Sequence, residues 1–154
     1  MRNVSRSLFA GFCLPALLVA ASPDQIKESA LFRDARAHLS ARAFQMGLNQ
    51  DFSVSPKNVH ADEQGDHVSL TQTYKGIRVF DGEAILHLRN GYVVETTDGL
   101  VRGLNLNVRP ELTEGEALAV AHGVLAPKGA YATAPEAELV IATPTGAFKP
   151  ALVY

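Results

Sequence analysis

Residues 67–103, HVSLTQTYKGIRVFDGEAILHLRNGYVVETTDGLVRG, decide the fold of this 154-residue chain. Apolar and polar residues alternate there in runs of four to eight, and each run ends at a turn signal. The pattern predicts three or four consecutive antiparallel strands. At the centre, Gly76 is expected to break one strand, and Asp81 with Gly82 is expected to form a second turn.

The predicted meander has one face directed to a core and one directed to water. Every second residue of its first two strands shares one face, namely Val68, Leu70, Gln72, Tyr74, Ala84, Leu86 and Leu88. The pattern leaves open which face points to the core and which to a partner. This alternation is typical of an antiparallel sheet that is covered on one side. Asn90 and Gly91 both tolerate the positive φ of a type I′ turn, so they predict a hairpin into a strand at residues 92–94.

A helix is expected before the meander. Its apolar residues recur at spacings of four, four, four and three, at Leu31, Ala35, Leu39, Ala43 and Met46. Asp24 is the predicted N-cap, and Gly47 followed by Asn49 is the predicted end. Residues 53–62 predict an irregular or edge strand because Pro56 has no N–H to donate, and residues 63–66 predict a turn.

A second helix is expected after a loop at residues 103–110. Thr113 and Glu116 match a capping box, and the helix should end before Pro127. Strands are then predicted at residues 138–142 and 151–154, with a turn at residues 144–146. The predicted fold class is α+β, with an N-terminal helix on an antiparallel β-meander, followed by a second helix with an incomplete β-hairpin.

Composition excludes several classes of protein. A hydrophobic content of 47% is enough to bury a core. The formal net charge is −2 and the basic residues are scattered, which disfavours a nucleic-acid partner. Cys13 is the single cysteine, so neither a disulfide within the chain nor a Cys-ligated zinc site is expected.

The first 21 residues have the pattern of a signal peptide. Arg2 and Arg6 precede an apolar run at residues 8–20, and small residues lead to a predicted cleavage after Ala21. A membrane-spanning helix needs about 20 apolar residues, which is more than this run provides. A lipid anchor on Cys13 is disfavoured because bulky Phe12 precedes it. The mature protein is therefore predicted to be secreted or periplasmic, with no stable membrane span.

The sequence lacks the familiar catalytic motifs. The zinc-protease motif HExxH requires two histidines four residues apart, whereas the histidines stand at positions 38, 60, 67, 87 and 122. Neither a GxSxG elbow nor a phosphate-binding glycine loop before a helix is present. No catalytic residue, metal ligand or cofactor is therefore predicted, and the chain itself is not expected to be an enzyme.

Two groups of polar residues are candidates for a site. His60, His67 and Asp62 can converge, but in a turn region such a group is more typical of solvated surface. The carboxylates Glu83, Glu95 and Asp98 stand in no context that marks a glycosidase pair, so they are interpreted as structural.

The meander resembles the fungalysin/thermolysin propeptide domain of secreted thermolysin-like zinc metallopeptidase precursors. The core motif is carried by Gln72, Tyr74, Lys75, Gly76, Val79, Phe80, Gly82 and Glu83, and a second part by Gly91, Gly99, Leu100, Val101, Gly103 and Leu104. Arg78 and Asp81 depart from the proline and glycine that are frequent in the family, and both are expected to be tolerated as turn substitutions.

The resemblance also implies a division of the chain. Residues 1–21 would be the signal peptide, residues 22–108 the propeptide-like domain, and residues 109–154 the start of a PepSY domain, which the family places next. The core-motif residues are the implied partner-binding residues. Zinc and calcium are implied only for the catalytic domain, which the printed sequence does not contain.

The function implied by the resemblance is that of a propeptide, which acts as an intramolecular chaperone and inhibitor of a thermolysin-like catalytic domain in cis or in trans. Because that domain is absent, the chain is expected to be a truncated or fragmentary precursor. The alternative is a free-standing secreted or periplasmic module with the same fold that binds a peptide or protein. An enzyme on this scaffold would need a convergent pocket that the sequence does not indicate.

Overall fold

The structure, a computed structural model, describes residues 22–142 and 149–154. The predicted signal peptide and the predicted turn at residues 144–146 lie outside these ranges. The elements in chain order are α1 (Pro23–Arg42), β1 (Phe52–Asp62), β2 (Gly65–Tyr74), β3 (Ile77–Arg89), β4 (Tyr92–Gly99), α2 (Glu114–Leu125), β5 (Val140–Ala142) and β6 (Ala151–Val153). This order confirms the predicted α+β class.

Helix α1 begins at a capping box. Ser22, not the predicted Asp24, is the N-cap, because the Ser22 hydroxyl accepts from the Gln25 N–H while the Gln25 side chain accepts from the Ser22 N–H. Asp24 lies in the first turn, where its negative charge interacts favourably with the positive end of the helix dipole and stabilises the helix. The helix ends at Arg42, earlier than predicted, and turns lead to Gly47 with a φ of +73°.

The apolar stripe of α1 packs on the meander as predicted. Leu31, Ala35 and Leu39 are buried, and Ala43 with Met46 packs partly buried against the same cluster. The structure decides which face of the sheet meets the core, and the core members on that face are Val54, Val68, Leu70, Ala84, Leu86 and Leu88. Burial of one such leucine contributes about 1.5–3 kcal/mol, so this contact holds the helix to the sheet.

Strands β1 to β4 form an antiparallel meander. β1 is an edge strand, as predicted, and its register shifts between Pro56 and Asn58. Two-residue turns join the strands, and Asn90 and Gly91 have the predicted positive φ angles of 53° and 79°. Gly65, at the start of β2, has a φ of +140°.

The prediction of a turn at Asp81 and Gly82 is wrong. Strand β3 continues through these residues, and the register with β2 passes from Thr73↔Arg78 to Thr71↔Glu83. Four residues of β3 thus lie opposite Gln72, and Asp81 adopts a φ of +58° within this bulge. A bulge bends a strand without ending it, and here β3 changes partners at the bend.

Strand β3 has two different neighbours on one side. Its C-terminal part pairs with β4 in antiparallel fashion, and its N-terminal part pairs with β5 in parallel fashion at Arg78↔Val140 and Val79↔Ile141. β6 then pairs with β5, so the sheet has six strands in the described residues. The predicted strands at residues 138–142 and 151–154 are confirmed in shorter form.

Helix α2 has the predicted Thr113–Glu116 capping box and ends at Leu125, with Ala126 as its C-cap before Pro127. None of the residues of this fully described helix is buried, and Val124 is 80% exposed. A groove of about 690 Å³ separates α2 from β6, and the Tyr154 hydroxyl donates to the Leu112 carbonyl at its border.

The two described helices are not suited to crossing a membrane. Neither α1 nor α2 combines the length and the apolar character that a membrane-crossing helix requires.

Candidate functional site

The core-motif residues lie around the hairpin between β2 and β3. Its turn consists of Lys75 and Gly76, with φ angles of 48° and 82°. The Lys75 N–H donates to the Asp51 carbonyl, and the Lys75 ammonium lies 5.0 Å above the centre of the Tyr74 ring. The contact with Tyr74, ahead of the smaller contribution of Asp51, raises the pKa of Lys75. The turn is therefore attached to the loop that precedes β1.

Gln72 is the only buried polar side chain among the described residues, at 1% exposure. Its Nε2 donates to the Val101 carbonyl at 2.8 Å, and its Oε1 accepts from the Val101 N–H at 2.7 Å. The side chain thus pairs with both backbone groups of one residue beyond β4. This double hydrogen bond holds the segment that follows β4 against the bulge.

Gly82 makes room for the Gln72 side chain. A Cβ atom at Gly82 would lie 2.8 Å from Gln72 Oε1 and 3.0 Å from Val79 Cβ. The first distance is shorter than real Cβ contacts and the second is tighter than most of them, so a larger residue here would displace the buried Gln72 side chain. Val79 and Tyr74 are buried beside it in a second core cluster with Leu104 and Ile141.

The other motif residues reach the surface. Lys75 and Gly76 are exposed, Phe80 is 52% exposed, and half-buried Glu83 forms an ion pair with Lys57 of β1. The Arg78 guanidinium lies 5.9 Å from the centre of the Phe80 ring. Of the eight predicted site residues, four therefore support the bulge from inside and four are accessible to a partner.

Arg78 connects the bulge to the segment before β5. Its Nε and Nη2 donate to the two carboxylate oxygens of Glu138 at 2.7 and 2.6 Å. Arg78 is thereby the main cause that lowers the pKa of Glu138. The sequence interpretation treated Arg78 as a tolerated turn substitution and missed Glu138, because 60 residues separate the two.

We expect Arg78→Gln to loosen β5 selectively. Only two register pairs join β5 to β3, and the variant removes the charged half of a bidentate pair beside them. Backbone amides of Val140 and Ile141 should exchange with deuterium several-fold faster, with little change in the amides of β2.

The control is Arg33→Gln, because within the described part of the chain Arg33 pairs only with its neighbour Asp34, on the exposed face of α1. Exchange at β5 should not respond to it. The pKa of Glu138 is lowered in the folded protein. The Arg78–Glu138 pair therefore contributes its full stability above the ordinary pKa of a carboxyl group, and this contribution is lost as the pH falls through the lowered pKa. Wild type and Arg78→Gln should therefore converge in strong acid, and equal exchange at neutral pH would contradict the assignment.

The histidines give a second polar cluster. His67 Nε2 lies 3.1 Å from Asp62 Oδ1, and the His60 ring stacks on the His67 ring with centroids 6.2 Å apart. His87, which sequence reasoning did not connect to this group, meets His67 with the two Nδ1 atoms 2.7 Å apart. The register between β2 and β3 places His87 beside His67, and this register is reached only after the shift at the bulge between Thr71 and Thr73.

Two of the three candidate carboxylates, Asp98 and Glu83, are engaged in structural contacts. Asp98 pairs with Arg102 and accepts from the Leu100 N–H, and Glu83 pairs with Lys57. Within residues 22–142 and 149–154, no group of three or more His, Cys, Asp or Glu residues is arranged to hold a metal ion.

The meander matches a known family motif. Residues 53–99 match the Fungalysin/Thermolysin Propeptide Motif, which spans the structure from the start of β1 to the end of β4. The bulge with Gln72 and Gly82 lies inside the matched range. No curated protein and no solved structure matches the chain.

Proposed function

We propose that this chain is the propeptide region of an exported thermolysin-like metallopeptidase and acts as a folding assistant and inhibitor of the catalytic domain. The observation that carries this proposal is the propeptide motif over the whole meander. A folded unit that binds the native protease but not its unfolded chain stabilises the protease by mass action. The same binding blocks activity when it covers the active-site cleft.

Two further parts of the proposal rest on sequence patterns. Export follows from the signal-peptide pattern of residues 1–21. The assignment of residues 109–154 to the start of a PepSY domain is supported by a capped helix followed by the antiparallel strands β5 and β6.

The proposed contact surface consists of the exposed motif residues. Phe80 offers a half-exposed aromatic ring, and the Arg78 guanidinium lies 5.9 Å from the centre of that ring. Aromatic residues and arginine are enriched where protein interfaces gain most of their energy. The buried motif residues Gln72, Tyr74, Val79 and Gly82 would hold this surface in shape without touching the partner.

The direct test is to mix the purified protein with a thermolysin-like catalytic domain. We expect inhibition at micromolar concentration and a higher yield when the denatured catalytic domain is refolded in its presence. Absence of both effects, with the cognate catalytic domain, would rule the proposal out.

Within that assay, we expect Phe80→Ala to weaken inhibition at least about tenfold, which corresponds to about 1.4 kcal/mol of binding free energy. Loss of a half-exposed ring should leave the fold intact, which circular dichroism can verify. The matched control is Tyr92→Ala, because Tyr92 is an exposed aromatic residue (77%) at the other end of β3. Equal inhibition constants for the two variants would place the contact surface elsewhere.

The second candidate function is a free-standing module that binds a peptide or protein. It is favoured by the groove between α2 and β6, which is bordered by apolar residues such as Leu112, Val120 and Leu152. The inhibition assay separates the two candidates. A protein that binds the catalytic domain through Phe80 is a propeptide in function, whereas a protein that leaves the protease unaffected fits the binding module.

A further inference from the structure

A row of ionisable side chains crosses the outer face of the meander. His60, His67, His87 and Glu95 occupy successive strands and are direct register partners, from β1 to β4. Cross-strand partners project from the same face of a sheet, opposite here to the core that α1 covers. The row is separate from the exposed motif residues at the β2–β3 turn.

Hydrogen bonds join the middle of this row. His67 Nδ1 and His87 Nδ1 are 2.7 Å apart, and His87 Nε2 lies 3.1 Å from the Thr97 hydroxyl. His67 Nε2 lies 3.1 Å from Asp62 Oδ1, which meets the distance of an ion pair but not the alignment of a hydrogen bond. This contact is the main cause that lowers the pKa of Asp62, followed by the Gln64 N–H.

The bond between the two Nδ1 atoms limits how many protons the pair can hold. One nitrogen must donate its hydrogen and the other must accept with a free lone pair. A protonated imidazole carries hydrogens on both nitrogens, so it can donate here but cannot accept. The pair is therefore satisfied with no charge or with one, and a second charge breaks the bond and places two cations side by side.

The charged side chains around the row do not compensate for a second positive charge on the His67–His87 pair. The charged groups near the row on this face are Asp62, Glu83, Arg89 and Glu95, together with Lys57, which pairs with Glu83. The Asp62 carboxylate lies 3.1 Å from His67 Nε2, while Glu95 is the register partner of His87. Arg89 is the next outward residue on β3, and its Nε donates to the Gln64 carbonyl. One carboxylate beside each end cannot restore the broken Nδ1–Nδ1 bond.

We propose that the His67–His87 pair is an acid-responsive latch, which holds β2 to β3 at neutral pH and is released when both rings become protonated. In acid the two histidines of the unfolded chain bind two protons, whereas the latched pair binds one. Because the unfolded state binds more protons, the stability of the fold decreases as the pH falls. This inference does not depend on the proposed function.

The test compares the pH dependence of unfolding of the full chain and His87→Gln by urea titration at pH 7.5 and 5.0. Glutamine can still donate to His67 but takes up no proton. A histidine in an unfolded chain has a pKa of about 6.5. Because the folded pair takes up one proton fewer than the unfolded chain, the folding equilibrium constant should fall by about 30-fold between pH 7.5 and pH 5.0. Between these two pH values, the folding equilibrium constant of the wild type should fall by a factor about 30 times larger than that of His87→Gln.

Two features of the chain make the comparison specific. The pKa values of Asp62, Glu116 and Glu138 are lowered in the folded protein. The stability that these carboxylates contribute is therefore lost only below the ordinary pKa range of carboxyl groups. Burial, ahead of the charge of Arg42, lowers the pKa of His38, but this contribution is common to both proteins and cancels. The matched control, His122→Gln on α2, should keep the full wild-type dependence. Equal pH dependence in wild type and His87→Gln would overturn the proposal.

A second measurement covers the case in which His87→Gln does not fold. The imidazole proton resonances of wild type should show His67 and His87 moving together as one proton is gained, because strongly coupled groups titrate as a pair. Uptake of the second proton should coincide with loss of the folded signals. Two independent and complete titrations within the folded protein would overturn the latch.

Discussion

Replacing Gln72 with leucine is expected to lower the free energy of unfolding by about 3 kcal/mol. Leucine has a similar volume but cannot hydrogen-bond, so the N–H and the carbonyl of Val101 would lose their partner. Each buried polar group left without a partner costs about 1–3 kcal/mol. Urea titration at neutral pH measures the change, and the inhibitory activity proposed above should fall with it because the bulge loses its support.

The matched control for this variant is Gln45→Leu, since Gln45 is exposed in the turn after α1. Substitutions at such positions change stability by no more than about 0.5 kcal/mol. A loss below about 1 kcal/mol for Gln72→Leu would mean that water replaces the side chain at Val101, and the bulge would then not depend on the glutamine.

The second large effect is expected for Gly65→Ala, which should lose at least about 3 kcal/mol or fail to fold. A Cβ at this position would lie 2.0 Å from the backbone oxygen of Leu88, and a φ of +140° disfavours any side chain. Overpacking costs about 1–3 kcal/mol, and a strained backbone adds a similar amount. The Leu88 oxygen belongs to a central strand, so the clash cannot be relieved by a side-chain rotation.

Gly91→Ala separates the two causes. Gly91 also has a positive φ (+79°), but among the described residues no atom lies within 4 Å of the position that its Cβ would take. This variant should therefore lose only the strain of the left-handed conformation, about 1–2 kcal/mol. Thermal or urea unfolding of both variants checks the difference, and equal losses would show that the contact with Leu88 relaxes freely.

Much of the local structure was predictable because it depends on short-range periodicity. The alternation of residues 68–74 correctly placed Gln72 and Tyr74 on one face with Val68 and Leu70, but it left open whether that face is buried, and the stripe of α1 identified Leu31, Ala35 and Leu39. The capping box at Thr113 and the Asn90–Gly91 turn are confirmed for the same reason. These signals involve residues within a few positions of one another.

The candidate site was only partly predictable. The sequence pattern located the segment that the propeptide motif covers, but it did not identify Val101 as the partner of Gln72 or Glu138 as the partner of Arg78, since these pairs are 29 and 60 residues apart. It also took Asp81 and Gly82 for a turn, because an Asp-Gly pair in a strand pattern has the same composition in a turn and in a bulge. His87 was missed because a strand register was needed to place it beside His67.

The sequence by itself determined which residues share a strand face, that a hairpin turns at Asn90 and Gly91, and that the meander carries a propeptide motif, because each depends on residue types at close spacing. Only the tertiary structure decided that β3 bends at Gly82 and exchanges β4 for β5, and that three histidines share one row. The physical reason is that a bulge and a register are chosen by distant contacts. Gln72 can reach Val101, and His67 can meet His87, only after the strands have paired.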